Sequence, residues 1–192
     1  MAFLTDDQIV SLGFKSIGNN VSLSDKVSFH GCENIEIGSN TRIDDFCVIS
    51  AGKGGIYIGK NVHIATHSIL IGKAQIFLSD YCNLSSRVAI YSSSDDFSGN
   101  HMTNPTIPEK FTGVKSSKVL LGKHVIVGTG STILPGCEIL EGVAIGSMSL
   151  VNQNCDEFWI YAGNPLRKIR ERSNNLKKLE IEFESLHKKN EI

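Results

Sequence analysis

Aliphatic residues recur every six positions along most of this chain, and that spacing excludes most folds. They stand at Ile17, Leu23 and Phe29 (an aromatic variant), at Ile37, Ile43 and Ile49, at Ile58, Ile64 and Leu70, and at Leu78, Leu84 and Ile90. After a gap the series runs unbroken through Leu121, Val127, Ile133, Ile139, Ile145 and Val151, giving eighteen positions in six groups of three. A period of six fits neither an amphipathic helix nor a coiled coil. A short fixed repeat instead marks a solenoid, whose units bury their apolar side only against neighbouring units.

The fourth residue after each marker sharpens the reading. Those positions hold small residues, among them Thr41, Cys47, Val62, Ser68, Cys82 and Ser131. One large and one small inward residue per side is what a narrow triangular tube requires. The low aromatic content of 7% and the 18 glycines agree with tight corners around an aliphatic core. The spacing predicts an all-β parallel helix of about six coils, each of three short strands, stacked at about 4.8 Å per coil.

Every step longer than six falls between the third marker of one group and the first of the next, so all insertions leave from one corner. Three are short. The fourth expels residues 91–119 as a single loop, and loops of that length in a compact domain usually serve function. Residues 1–16 read as an N-terminal helical cap, with Thr5 or Asp6 opening a short helix. Residues 17–160 form the β-helix, and residues 161–192 a closing segment and an amphipathic helix carrying Leu176, Leu179, Phe183 and Leu186.

A net charge of −1 gives no general attraction for nucleic acid. The N-terminus lacks the pattern of a secretory signal and no apolar run is long enough to span a membrane, so a cytoplasmic protein without membrane insertion is expected. The five cysteines lack metal-ligand spacing, and Cys47, Cys82, Cys137 and Cys155 occupy the small inward position, where they read as core filler.

The hexapeptide pattern, the long loop from one coil and the closing segment Ala162-Gly-Asn-Pro-Leu-Arg-Lys-Ile-Arg170 together resemble the hexapeptide-repeat acyltransferases. Within that family the chain is similar to galactoside and maltose O-acetyltransferases and to enzymes that acetylate sugars of surface polysaccharides. The resemblance implies a left-handed coil, acetyl-CoA as cosubstrate, no metal, and a homotrimer with active sites between subunits. It also implies cofactor contacts at Thr129, Ser147, Asn152, Arg167 and Arg170. In the resembled enzymes a His near the start of the long loop is the base, and frame matching through Ile90 places Asp95 at that position.

Acyl transfer from a thioester needs a proton acceptor, donors for the tetrahedral oxyanion and a groove for the pantetheine arm. With Asp95 in place of His, the candidates for the base are His63, expected to face outward one coil below the loop, and His101 within the loop, ahead of His67. Asp95 and Asp96 either form a turn, or one of them orients an imidazole or holds a sugar hydroxyl. Asn83, Ser85 and Tyr91 flank the same region as candidates for acceptor binding. The expected activity is O-acetylation of a sugar or surface-polysaccharide precursor. N-acetylation of an amino-sugar nucleotide is the alternative, because an amine needs less help from a base. A zinc enzyme of the γ-carbonic-anhydrase type and a non-catalytic solenoid are lesser alternatives.

Overall fold

A computed structural model describes residues 2–190, with side chains through Leu186; Met1, Glu191 and Ile192, at the outer ends of the expected terminal segments, lie outside the described residues. The strands form three parallel sheets, one for each side of a triangular prism. The first side stacks Ser16–Ile17, Ile35–Ile37, Ile56–Ile58, Ile76–Leu78, Val119–Leu121 and Glu138–Ile139. On the second side lie Ser22–Leu23, Arg42–Ile43, His63–Ile64, Asn83–Leu84, Ile126–Val127 and Ala144–Ile145. The third side stacks Ser28–His30, Val48–Ala51, Ile69–Gly72, Ala89–Tyr91, Thr132–Ile133 and Leu150–Val151.

Register follows the sixfold spacing. Ile43, Ile64 and Leu84 align across the second side, and Ile49, Leu70 and Ile90 across the third. All eighteen sixfold markers are buried except Ile17 and Phe29 in the first coil, which are only partly covered. A second inward set, Ile35, Ile56, Ile76 and Val119, lies two residues before the first marker of its coil and is equally buried. The insertions at the preceding corner lengthen the first side and make room for it.

The small inward residues also tie coils together. Thr41 Oγ1 donates to the Gly59 carbonyl at 2.8 Å and accepts from Val62 N–H, and Ser68 and Ser131 repeat the arrangement. Among the described residues no buried side-chain nitrogen or oxygen lacks a partner, as burial of polar groups demands. Gly38 shows why glycine follows a marker: a Cβ there would lie 2.6 Å from backbone atoms of Gly59 and Lys60 in the next coil.

The prism runs beyond the six expected coils. Cys155 pairs with Ile139, Trp159–Ala162 adds to the second side, and Arg167–Glu171 returns antiparallel against it. The Arg172 guanidinium then donates to the carbonyls of His124, Gly142 and Val143, pinning this turn to the corner. At the other end, helix α1 (Asp6–Ser11) opens with a capping box between Thr5 and Gln8 and buries Ile9 against the first coils.

Helix α2 (Leu176–Asn190) docks along the corner joining the first and second sides, with Phe183 edge-on to Tyr81 and two glutamates bonded to the prism. Glu184 bonds Lys60 Nζ and Tyr81 Oη at 2.6 Å each, and Glu180 bonds Lys123 Nζ and His124 Nε2. Leu179 and Leu186 point outward, 50% and 60% exposed. The corner presents cations and rings, so charge pairs rather than apolar burial select the docked face. Among the described residues no helix is long and apolar enough to cross a membrane.

Candidate active site

The corner joining the second and third sides carries four of the predicted site residues, Ser85, Thr129, Ser147 and Arg167. Each coil turns it with three residues: Asp44-Asp45-Phe46, Ala65-Thr66-His67, Ser85-Ser86-Arg87, Gly128-Thr129-Gly130 and Gly146-Ser147-Met148. Backbone hydrogen bonds stack these turns, from Arg87 N–H to the Thr66 carbonyl, Gly130 N–H to Ser86 and Met148 N–H to Thr129. Ser86 therefore stands directly below the exposed column of Thr129 and Ser147, and Ser85 is the residue before it in the same turn. Arg167 pairs opposite Ala162 at the top of the same edge. Arg170 is opposite Ile160, farther along the second side. Asn152 follows the third side at its far corner, so one chain does not bring it to Thr129 and Ser147.

The column carries the small Thr129, Gly130 and Ser147 beside the exposed Met148, an edge along which an extended pantetheine can lie. Arg167 is exposed at its upper end, where a guanidinium group can hold phosphates with charge-assisted bonds, and Arg170 is exposed farther along the second side. Lys123 and Lys168, which could have added charge there, are both engaged: Lys123 with Glu180 on another corner, and Lys168 with Asp156 and the face of Trp159.

His63 stands on the second side between Arg42 and Asn83. Its Nε2 faces the Asp44 carboxylate at 2.9 Å and its Nδ1 the Asn83 side chain at 3.2 Å. Burial opposes ionisation of Asp44, but hydrogen bonds from Arg42 and His63 outweigh it and hold the carboxyl below its usual range. Neither His63 ring nitrogen is free. His67 is bonded to Thr66 Oγ1 and tilted against Phe46.

The long loop leaves the third side after Ser92. A short antiparallel clip, Ser93 with Ser116 and Ser94 with Lys115, closes its root. Asp96 accepts from Ser98 N–H at 2.9 Å, from Ser98 Oγ and from His101 Nδ1 at 3.0 Å. The Ser98 backbone bond first, then the Ser98 hydroxyl and His101, hold its carboxyl well below the usual range. Asp96 and His101 thus fasten the loop internally. Asp95 is exposed at the end of the clip, and among the described residues nothing engages its carboxylate. Tyr91 sits at the same edge, paired with Ile71.

Ser85 and Asp95 therefore lie at opposite edges of the third side. The four residues between those corners span about 13 Å at about 3.3 Å per residue. Burial pushes the Cys82 and Cys155 thiols up to about 12 and Cys47 up to about 11, so these three thiols offer no ready nucleophile.

Comparison with known proteins agrees with this arrangement. The chain is 52% identical over 183 residues, 95% of each protein, to a dTDP-4-amino-4,6-dideoxy-D-glucose acyltransferase of Escherichia coli. It is 31% identical over 157 residues, 76% of this chain and 72% of the relative, to a putative lipopolysaccharide biosynthesis O-acetyl transferase, WbbJ, also of Escherichia coli. The solved structure of AntD, an N-acyltransferase from Bacillus cereus in complex with dTDP and coenzyme A, superposes with a TM-score of 0.92 at 42% identity, covering 96% of this chain and 99% of that one. That AntD structure carries a substitution of one aspartate, and another carries a substitution of a serine ten residues earlier in its chain. No family model matches the chain. With that identity across almost its whole length and a prism of hexapeptide coils, the chain belongs to the left-handed β-helix, hexapeptide-repeat acyltransferases.

Proposed function

We propose that this enzyme transfers an acyl group from a coenzyme A thioester to the amino group of a nucleotide-linked amino sugar. The relative at 52% identity, named for acylating such a sugar, carries the reading. Of the two acceptors left open by the sequence, the amine is the better supported.

The site chemistry is consistent with an amine. Ser85 and Asp95 have the ten-residue spacing of the serine and aspartate substituted in AntD. The neutral amine attacks the thioester carbonyl, and the Ser85 hydroxyl or corner N–H groups stabilise the oxyanion. The ammonium proton of the tetrahedral intermediate passes to Asp95, the C–S bond breaks, and the thiolate leaves to be protonated. The products are an amide and coenzyme A. A carboxylate is too weak a base to remove the proton of a sugar hydroxyl, yet it suffices for the far more acidic ammonium of that intermediate.

Because Ser85 and Asp95 sit at opposite edges of one chain, we propose that the site forms between copies, the loop of one reaching the corner of the next in a homotrimer. Sedimentation equilibrium at micromolar concentration should give three times the 20.9 kDa chain mass. A stable monomer there would remove the shared site.

Arg167 belongs to the cofactor end in this scheme. Arg167→Ala should raise the KM for the coenzyme A thioester about ten- to a hundredfold, the loss of one charge-assisted bond, with little change in kcat. Normal coenzyme A affinity by calorimetry would place the nucleotide end of the cofactor elsewhere. The acceptor is tested by following thiol release with dTDP-linked amino sugars against hydroxyl-only sugars. Turnover of the hydroxyl sugars alone would reinstate O-acylation.

A further inference from the structure

Between Ser92 and Val119 the long loop buries no apolar residue, and Phe97, Met102 and Phe111 are 92%, 54% and 49% exposed. A segment with no apolar core takes its shape from hydrogen bonds, so the bonds beside Asp95 decide how firmly that residue is placed. On its near side Ser94 pairs with Lys115, and Ser94 Oγ donates to the Asp95 carbonyl at 3.2 Å. On its far side stands Asp96, whose side chain is only 8% exposed.

Asp96 and His101 complete a closed circuit. The Asp96 carboxylate accepts from Ser98 N–H, Ser98 Oγ and His101 Nδ1, and, held well below the usual range by these bonds, it stays charged at neutral pH. Bonds to a charged acceptor are roughly twice as strong as neutral ones. His101 in turn lies against the returning arm of the loop. A Cβ at Gly113 would stand 2.6 Å from His101 Nδ1 and 2.7 Å from its Cγ, so glycine leaves the ring its seat. Beside it Met102 N–H donates to the Phe111 carbonyl at 3.0 Å. Two residues past Gly113 is Lys115, the partner of Ser94. Contacts thus run from Ser94 through Asp96, His101 and Gly113 to Lys115, with Asp95 inside the circuit and its carboxylate unengaged among the described residues.

We infer that Asp96 and His101 are positioning residues for acyl transfer, fixing the backbone at Asp95 so that its carboxylate meets the ammonium of the tetrahedral intermediate. The inference rests on Asp95 as the proton acceptor and gives its placement to a pair that touches no reacting atom. Placement matters at this scale, since a shift of about 1 Å in a reacting group can slow a reaction about 10²-fold. A donor on the Asp95 carboxylate itself would also fix it, but would stabilise the charged form and weaken it as a base. Bonds to the neighbouring Asp96 fix the residue and leave its carboxylate open to the substrate.

Single-turnover acylation of a dTDP-linked amino sugar tests the role in His101→Ala, His101→Asn, Gly113→Ala, Asp95→Asn and the double variant Asp95→Asn with His101→Ala. His101→Ala should slow the step about 10- to 100-fold, with coenzyme A affinity and the unfolding temperature unchanged. His101→Asn should recover most of the rate, because its amide nitrogen, like Nδ1, is bonded to Cγ. Gly113→Ala removes no polar group, yet should reproduce the loss by unseating the ring. The double variant should be no slower than Asp95→Asn, since a pair acting through Asp95 then has nothing left to place. Near-normal rates in His101→Ala and Gly113→Ala beside a slow Asp95→Asn would overturn the positioning role and leave Asp95 as the acceptor. Equal loss in His101→Ala and His101→Asn would overturn it as well, by making the imidazole itself the acting group. So would losses that multiply in the double variant, which mark an effect independent of Asp95. A normal rate in Asp95→Asn, or no turnover of such sugars by the wild type, would overturn the proton acceptor and this inference together.

Discussion

Asp95→Asn is expected to lower kcat by about 10²–10⁴-fold, the usual range for removing a proton acceptor, with little change in the affinity for coenzyme A. The substitution is nearly isosteric and the Asp95 side chain has no partner among the described residues, so the fold should not register the change. His63→Ala provides the contrast. On the sequence alone His63 was the leading base, but its Nε2 is held by Asp44 and its Nδ1 by Asn83. Its removal should cost far less in kcat than loss of Asp95. Single-turnover acylation of one dTDP-linked amino sugar by the two variants in parallel decides the matter. Near-normal chemistry in Asp95→Asn with collapse in His63→Ala would return the role to the imidazole and require it to leave Asp44 during turnover.

Ile64→Ala should destabilise the protein by about 2–5 kcal/mol, the range for deleting a large buried aliphatic side chain. Ile64 is fully buried in the third coil, aligned between Ile43 below and Leu84 above. A solenoid coil contacts only its neighbours, so a cavity here weakens both of its interfaces and uncouples the lower coils from the upper ones. Denaturant unfolding should show a lower midpoint, and hydrogen exchange should show early opening of the coils below Ile64. Ile17→Ala, at a partly covered position of the first coil, should cost clearly less. Equal losses at both sites would mean that the prism unfolds as one block.

The sixfold spacing made the coil register legible before any coordinates, because each inward position is fixed by its distance from a corner. The same arithmetic located the long loop and Asp95 at its root. The second inward set at Ile35, Ile56, Ile76 and Val119 escaped it, since insertions at the preceding corner break the frame there. The C-terminal helix was legible, but its polar contacts with the prism were not: Glu180 and Glu184 face cations supplied by distant coils, and no local periodicity announces such partners.

Sequence by itself determined the prism, because a strict repeat and its small corner residues permit little else, while the family and the acyl-transfer chemistry came from the resemblance that the long loop and the closing segment add to that repeat. Tertiary structure decided which side chains are free to act. His63, Asp96 and His101 look alike as candidates in the sequence, yet each is engaged by groups brought to it by neighbouring coils or by the folded loop. Asp95 remains available. Availability depends on what lies one coil above or below, about twenty residues away in the chain, and only stacking reveals it.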